Sequence, residues 1–157
     1  MRRPWNLIDV PVYSLATYYN GKLNMNICTY VSCVSRKPKM YAISIEKHSK
    51  TSEYLKKSNY AVLQLMHTSQ QNLVQLLGKK SGFHIDKEES LQNRNSLTLW
   101  NNYKVLNNVC ALLELDKSLS NPSGDHELFM FNVKRTKTLN DKNILMFQDL
   151  ISNKIIL

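Results

Sequence analysis

Apolar and polar residues alternate along much of this chain with the two-residue period of a half-buried strand, and the interruptions fall at turn-forming residues. Val10 to Tyr19 mixes β-branched and aromatic residues and ends at Asn20-Gly21, a dipeptide that supplies positive φ for a tight hairpin turn. A second strand is expected over Asn24 to Val34, with Asn26, Cys28, Tyr30 and Ser32 on one face and Ile27, Thr29, Val31 and Cys33 on the other. Arg36-Lys37-Pro38-Lys39 breaks the run, because proline cannot donate to a ladder and disfavours helix before it. Met40 to Glu46 reads as a third strand.

The pattern changes from Lys47 to a polar stretch and then a short helix over Ser52 to Ser58, with Ser49 and Thr51 as candidate N-caps. Tyr60 to Met66 returns to strand character. Ser69 opens a stronger helix in which Leu73, Val74 and Leu77 share a face before Gly78 stops it. Asp86, with Glu89 three residues on, forms a variant of the capping box and starts another short helix. Further strands are expected at Val109 to Asp116 and Leu128 to Arg135, separated by the turn-rich Ser120 to Gly124, and a last short strand at Asn143 to Gln148. Many strands with hairpin signals and only short helices predict a mainly β fold, an antiparallel barrel or sandwich rather than a doubly wound sheet. No G-x-G-x-x-G or Walker loop occurs, and no internal repeat, so any nucleotide is held without those devices.

A length of 157 residues with 43% hydrophobic content suits one domain with one core. The apolar runs are far shorter than the ~20 residues a bilayer span needs, and Arg2-Arg3 is not followed by an apolar signal segment, so a cytoplasmic protein off the membrane is expected. Cys28, Cys33 and Cys110 lack C-x-x-C spacing and sit in strand-like segments, which reads as buried free thiols. His48, His67 and His84 show no metal-like spacing, and no metal site is expected. A net charge of +9 invites a nucleic-acid reading. The basic clusters are brief, however (Arg36-Lys37, Lys56-Lys57, Lys79-Lys80), and no zinc finger or glycine-aromatic RNA motif accompanies them. A solvated lysine surface is the expectation, with local pull on an anionic ligand and no nucleic-acid partner.

The segment Asn24-Met25-Asn26-Ile27-Cys28-Thr29-Tyr30-Val31-Ser32-Cys33-Val34-Ser35 runs without a gap into Lys37-Pro38-Lys39-Met40-Tyr41-Ala42-Ile43-Ser44-Ile45. It resembles the flavin reductase-like family's pattern of an Asn, a small stretch, an aromatic, V-S-x-V-S, a proline loop and an A-x-S-I strand. Ser49-Lys50-Thr51, Gly78-Lys79-Lys80-Ser81-Gly82, Asp86-Lys87 and Gly124-Asp125-His126 follow in the family's order. The joint order carries the resemblance, which runs from about Val12 to Val133. Ile27, Tyr30 and Gln64 depart from the commonest family residues, Thr, Trp and Asn. The resemblance implies an FMN-binding split β-barrel of Greek-key type, a homodimer, and flavin mononucleotide (FMN) at or near the subunit interface.

FMN presents a flat ring with a polar edge and a dianionic phosphate, so a site needs strand backbone and an aromatic for one and concentrated donors for the other. On the ring side the resemblance points to Asn24, Asn26, Cys28, Thr29, Tyr30 and Ser32. On the phosphate side, Ser49, Lys50 and Thr51 precede a helix N-terminus, where hydroxyls, a lysine and free N–H groups favour an anion. Lys80 and Ser81 read equally as helix-terminal residues and as phosphate ligands. Family position alone adds Lys87, and it places His126 beside the flavin, to orient a nicotinamide or donate to the reduced ring. The implied activity is that of an FMN-dependent oxidoreductase, taking a hydride from NAD(P)H and passing electrons to an unidentified acceptor. An FMN-bound electron carrier, a flavin-binding module without turnover and a basic nucleic-acid-binding domain are the alternatives.

Overall fold

Tyr13–Tyr19 (β1) turns back onto Lys22–Met25 (β2) at Asn20 and Gly21, which take φ of 49° and 71°, the conformation this dipeptide tolerates. The computed structural model describes residues 1–156. The strand expected to run on to Val34 breaks instead: β2 ends at Met25 and Val31–Arg36 (β3) begins after the irregular residues 26–30. The cause is a change of partner, since β2 pairs with β1 while β3 pairs with Lys39–Glu46 (β4).

After β4 come the helix Lys50–Lys57 (α1), the strand Tyr60–Leu65 (β5), a 3-10 turn Thr68–Leu73, a π-turn Gln75–Lys79 and the helix Lys87–Asn93 (α2). A small hairpin, Leu97–Trp100 (β6) and Tyr103–Leu106 (β7), leads to the long strands Ala111–Ser123 (β8) and His126–Thr138 (β9), and Phe147–Ser152 (α3) follows. Seven strands form one antiparallel sheet in the order β2-β1-β5-β8-β9-β4-β3. Its β2-to-β3 and β4-to-β5 connections reach non-neighbouring strands, as in a Greek key. β2 and β3 are the two edges, yet only residues 26–30 join them. From Met25 to Val31 the chain reaches about 21 Å at most, whereas six flat strand spacings need about 29 Å. The sheet therefore curls until its edges approach, leaving a split bridged by this segment.

Curling buries both faces of the central strands. Leu15, Leu63, Leu115, Phe129 and Phe131 pack in one apolar cluster, and Ala16, Val62, Met66, Leu77 and Leu112 in another. Neighbouring positions such as Leu15 and Ala16, or Val62 and Leu63, thus point into different cores, which is why Tyr60 to Met66 is nearly all apolar. Each fully buried large side chain contributes about 1.5–3 kcal/mol.

Several local expectations change. The helix expected from Ser69 is a 3-10 turn, capped by His67 whose Nδ1 accepts from Ser69 N at 3.1 Å, followed by the π-turn that runs past Gly78. Gly78 is no helix stop: a Cβ there would lie 3.2 Å from Cβ of Ile27, so its role is close approach. Ser120 to Ser123 are paired strand, and the turn is confined to Gly124 and Asp125. Asn143 to Gln148 makes only single bridges, Ile144 to His67 and Met146 to Pro11, before α3 begins. Cys28 and Cys110 are buried, but Cys33, expected to be buried, is exposed on the edge strand β3. Among the described residues no helix is long and apolar enough to cross a membrane.

Candidate functional site

The split holds a cavity of 430 Å³. One wall is residues 26–30, kept extended by backbone bonds to β1 and β4. Cys28 N donates to Tyr13 O at 2.8 Å, Tyr13 N returns a bond to Cys28 O at 3.0 Å, and Ser44 N donates to Tyr30 O at 3.0 Å. Asn26 Oδ1 accepts from Leu15 N at 2.9 Å, replacing a ladder bond where β2 leaves its partner. Burial pushes the Cys28 thiol up to about 12, so it stays neutral beside the cavity.

Tyr30 is exposed at the mouth, and its ring centroid lies 5.4 Å from that of His126, which lines the same cavity. His126 Nδ1 is 2.6 Å from Asp125 Oδ1, and that bond holds the Asp125 carboxyl below its ordinary range. His126 opposes Glu46 across β4 and β9, so the strand register brings the end of the Gly124-Asp125 turn to the cavity.

The other end is built by the N-terminus of α1 and the turn after the π-helix. Ser49 is the N-cap: its Oγ accepts from Ser52 N at 3.1 Å and donates to Glu46 O at 2.7 Å, so its hydroxyl is committed to the helix. Thr51, the other candidate cap, lies inside the first turn, is buried, and accepts from Asn24 Nδ2 at 3.1 Å, which leaves its proton free to donate. The N–H groups of Lys50 and Thr51 have no intrahelical acceptor. Lys79, Lys80 and Ser81 line the cavity from the opposite turn. Gly82 closes the corner, where a Cβ would lie 2.4 Å from Asn24 Oδ1 and 2.9 Å from Lys50 Cβ. Beneath them Lys87, 6% exposed, donates to Leu77 O at 2.7 Å and Met25 O at 3.0 Å, and burial lowers its pKa to about 8. The walls thus carry Lys50, Lys79, Lys80 and Lys87 against the carboxylate of Glu46.

The structure gathers into this cavity Asn24, Asn26, Cys28, Thr29, Tyr30, Ser49, Lys50, Thr51, Lys80, Ser81, Lys87 and His126. Ser32 is the exception, because the chain has already joined the edge of the sheet at β3 and the single-strand face that linked it to Cys28 does not exist. Ser32 instead occupies the cross-strand row Ser32, Ala42, Met130 and Leu119. Sequence reasoning missed Ile27, Ser44, Glu46, His48, Gly78 and Gly82 as lining residues. The two glycines, in a chain with only four, were the available signal. Chemically, one end of the cavity offers an extended wall and an aromatic ring, and the other lysines, hydroxyls and free helix N–H groups, donors of the kind that suit an anion.

The family model described as the flavin reductase like domain matches residues 5–151. No curated protein matches the chain in sequence. Among solved structures, an FMN-binding protein from Thermus thermophilus with bound 1-cyclohex-2-enone superposes with a TM-score of 0.81 at 20% identity, covering 94% of this chain and 86% of that one. The styrene monooxygenase flavin reductase from Pseudomonas putida S12 gives 0.74 at 17% identity, covering 90% and 87%. The NADH:FAD oxidoreductase of Streptomyces globisporus C-1027, in complex with NAD and FAD fragments, gives 0.78 at 14% identity, covering 89% and 81%. At these identities the likeness is one of fold.

Proposed function

The chain belongs to the flavin reductase-like domain family, and from that premise we propose that its cavity binds FMN and that the protein is an NAD(P)H-dependent oxidoreductase passing electrons to a further acceptor. The carrying observation is the polarity of the cavity, a wall of extended backbone with Tyr30 at one end and four lysines at the other. The donor set fits FMN: Lys87 is a buried ammonium with two carbonyl partners and no ion pair among the described residues, a charge that a phosphate would compensate. When bound, the flavin supplies a ring that takes a hydride from a reduced nicotinamide and releases electrons onward.

In this reading Lys50, Lys80, Ser81 and the free hydroxyl proton of Thr51 hold the phosphate, with the N–H groups of the first turn of α1. Asn26, Cys28 and Thr29 border the ring edge, where the neutral Cys28 thiol adds no competing negative charge, while Asn24, bonded to Thr51, braces the phosphate end. Asp125 accepts from Nδ1 of His126, which leaves Nε2 free to accept a hydrogen bond from the nicotinamide amide and orient it. The reductases from Pseudomonas and Streptomyces support the hydride-accepting role. A homodimer is part of the proposal. Ser44, Glu46 and His126 alternate out of register with the core residues Ile43, Ile45 and Phe129, so the cavity opens on the face that carries the Ser32 to Leu119 row. A second copy seated on that row and on the β3 edge would border the flavin. We place the chain in the cytoplasm as a single domain.

The test is anaerobic. Protein reconstituted with FMN should be yellow and bleach on addition of NADH or NADPH. A loaded protein that neither nucleotide bleaches is an electron carrier rather than a reductase, and one that takes up no FMN overturns the cavity assignment.

A further inference from the structure

Phe83 is a large aromatic left 49% exposed in the turn at the anion end of the cavity, and its neighbours show what holds it there. Its backbone N donates to Ser81 Oγ at 3.2 Å, which fixes the turn. The Lys50 ammonium lies 5.1 Å from the ring centroid of Phe83 and 5.1 Å from that of Tyr54, both within the range of a cation–π contact. Lys50 lines the cavity and neither ring does. The stem of the lysine is held as closely as its head. A Cβ on Gly82, the residue before Phe83, would lie 2.9 Å from Lys50 Cβ and 3.1 Å from its Cγ.

The contact with Tyr54 follows from helix geometry. Lys50, Glu53, Tyr54 and Lys57 stand at i, i+3, i+4 and i+7 of α1 and share one face. Tyr54 is buried, and its ring centroid lies 5.9 Å from that of Tyr19, over which the Lys57 ammonium sits at 5.1 Å. The ring that meets Lys50 is therefore itself held in place. The same helix face carries a carboxylate able to neutralise Lys50. Glu53 Oε1 is 3.9 Å from Lys50 Nζ but 3.2 Å from Lys57 Nζ, which donates a hydrogen bond to it. Lys57 draws Glu53 away, and Lys50 has no closer carboxylate among the described residues. An aromatic face attracts a cation without cancelling its net charge, as a carboxylate would.

We propose that Phe83 and Tyr54 are positioning residues, which hold the Lys50 ammonium in place and unneutralised at the anion end of the cavity and so strengthen its grip on a phosphate. The proposal rests on the flavin reading of the cavity. A lysine free in solvent loses side-chain freedom when it meets a phosphate, whereas one held between a helix and a turn has lost that freedom before the ligand arrives. In this arrangement Phe83 acts through Lys50 and not by touching the flavin.

The experiment measures FMN and riboflavin affinity by flavin fluorescence for the wild type, Phe83→Leu and Phe83→Trp, each with and without Lys50→Met. Phe83→Leu, which keeps apolar bulk and loses the aromatic face, should weaken FMN binding about three- to thirtyfold and leave riboflavin binding unchanged. Phe83→Trp should restore it. On Lys50→Met, Phe83→Leu should change nothing, which separates action through the lysine from direct contact with the ligand. Nuclear magnetic resonance of the ligand-free protein should show the Lys50 ε-methylene protons shifted upfield by the two rings, and partly released in Phe83→Leu. Unchanged FMN affinity in Phe83→Leu, an equal loss for riboflavin, the same loss on Lys50→Met, or unshifted ε-methylene protons in the wild type would each overturn the proposal. A wild type that takes up neither flavin is a distinct outcome, which overturns the reading of the cavity and this role for the two rings with it.

Discussion

Lys87 donates through Nζ to the carbonyl oxygen of Leu77 at 2.7 Å, from a position that water barely reaches. A second bond, to Met25 O at 3.0 Å, makes this lysine a clamp between the end of β2 and the π-turn, the elements on either side of the cavity floor. A buried ammonium normally finds a carboxylate. Here it has two neutral carbonyls and a third N–H to spend.

Affinity for FMN should therefore depend on pH through Lys87. Its pKa stands at about 8 against an ordinary 10.5, and a bound phosphate favours the protonated form. The free protein sheds this proton above about 8, so FMN binding should hold level from about pH 7, where the phosphate is a dianion, and then weaken with a limiting slope of about tenfold per unit. Riboflavin, and FMN on Lys87→Met, should show no such decline. The stability of the unliganded protein moves the other way. Between about 8 and 10.5 the unfolded chain keeps a proton that the folded one has lost, so the contribution of Lys87 to stability rises with pH. Flavin fluorescence titrations and unfolding curves across this range measure both.

Gly82→Ala should damage the anion end selectively. The added methyl would lie 2.4 Å from Asn24 Oδ1, so Asn24 or the turn must shift, and with it the bond from Asn24 to Thr51. Overpacking of this kind costs about 1–3 kcal/mol of stability. FMN affinity should drop about ten- to a hundredfold, equivalent to one charge-assisted hydrogen bond at ~1.5–3 kcal/mol, while riboflavin affinity changes less. Unchanged FMN affinity would remove this corner from the phosphate site.

His126→Ala should slow anaerobic flavin reduction about thirty- to a thousandfold, the loss of ~2–4 kcal/mol of orientation, and leave FMN in place. Asp125→Asn should give a smaller loss, since it changes which nitrogen of His126 carries the proton without removing the ring. Stopped-flow bleaching at saturating flavin separates these from binding effects. A His126→Ala variant that matches the wild type would leave the histidine without a role in hydride transfer.

Sedimentation at micromolar concentration should give twice the chain mass. Leu119→Lys, on the exposed end of the row that includes Ser32, Ala42 and Met130, should shift the protein toward monomer, because an unpaired charge in such a contact costs several kcal/mol. A wild type that sediments as a clean monomer with FMN bound would refute the shared-face arrangement.

Much of the fold was legible because it rests on local chemistry. Asn20-Gly21 sets a hairpin by backbone freedom alone, and Ser49 and Asp86 start helices by supplying the acceptor that the first turn lacks. Asn101 and Asn102, at φ of 47° and 65°, turn β6 into β7 by the same chemistry, but so short a hairpin carries too little alternation to announce itself. Twelve of the cavity residues were legible through the family's ordered set of short motifs, because residue type taken alone left them as strand, cap and surface positions.

What the sequence determined by itself was the first hairpin, the strands β4, β5, β8 and β9, the capped starts of α1 and α2, and the polar and basic side chains available to a ligand. Only the tertiary structure decided that the run from Asn24 to Val34 breaks, because alternation is blind to a change of strand partner, and this segment must cross between the two edges of a curled sheet. The same crossing puts Ser32 outside the cavity and Cys33 at the surface. It also sets Gly78 against Ile27 and Gly82 against Asn24, contacts between residues some fifty positions apart that no local pattern encodes. Lys87 reads in sequence as an ordinary solvated lysine of a helix first turn. It becomes a buried clamp only because the walls it joins, at Met25 and Leu77, are brought over it by the packing of the whole sheet.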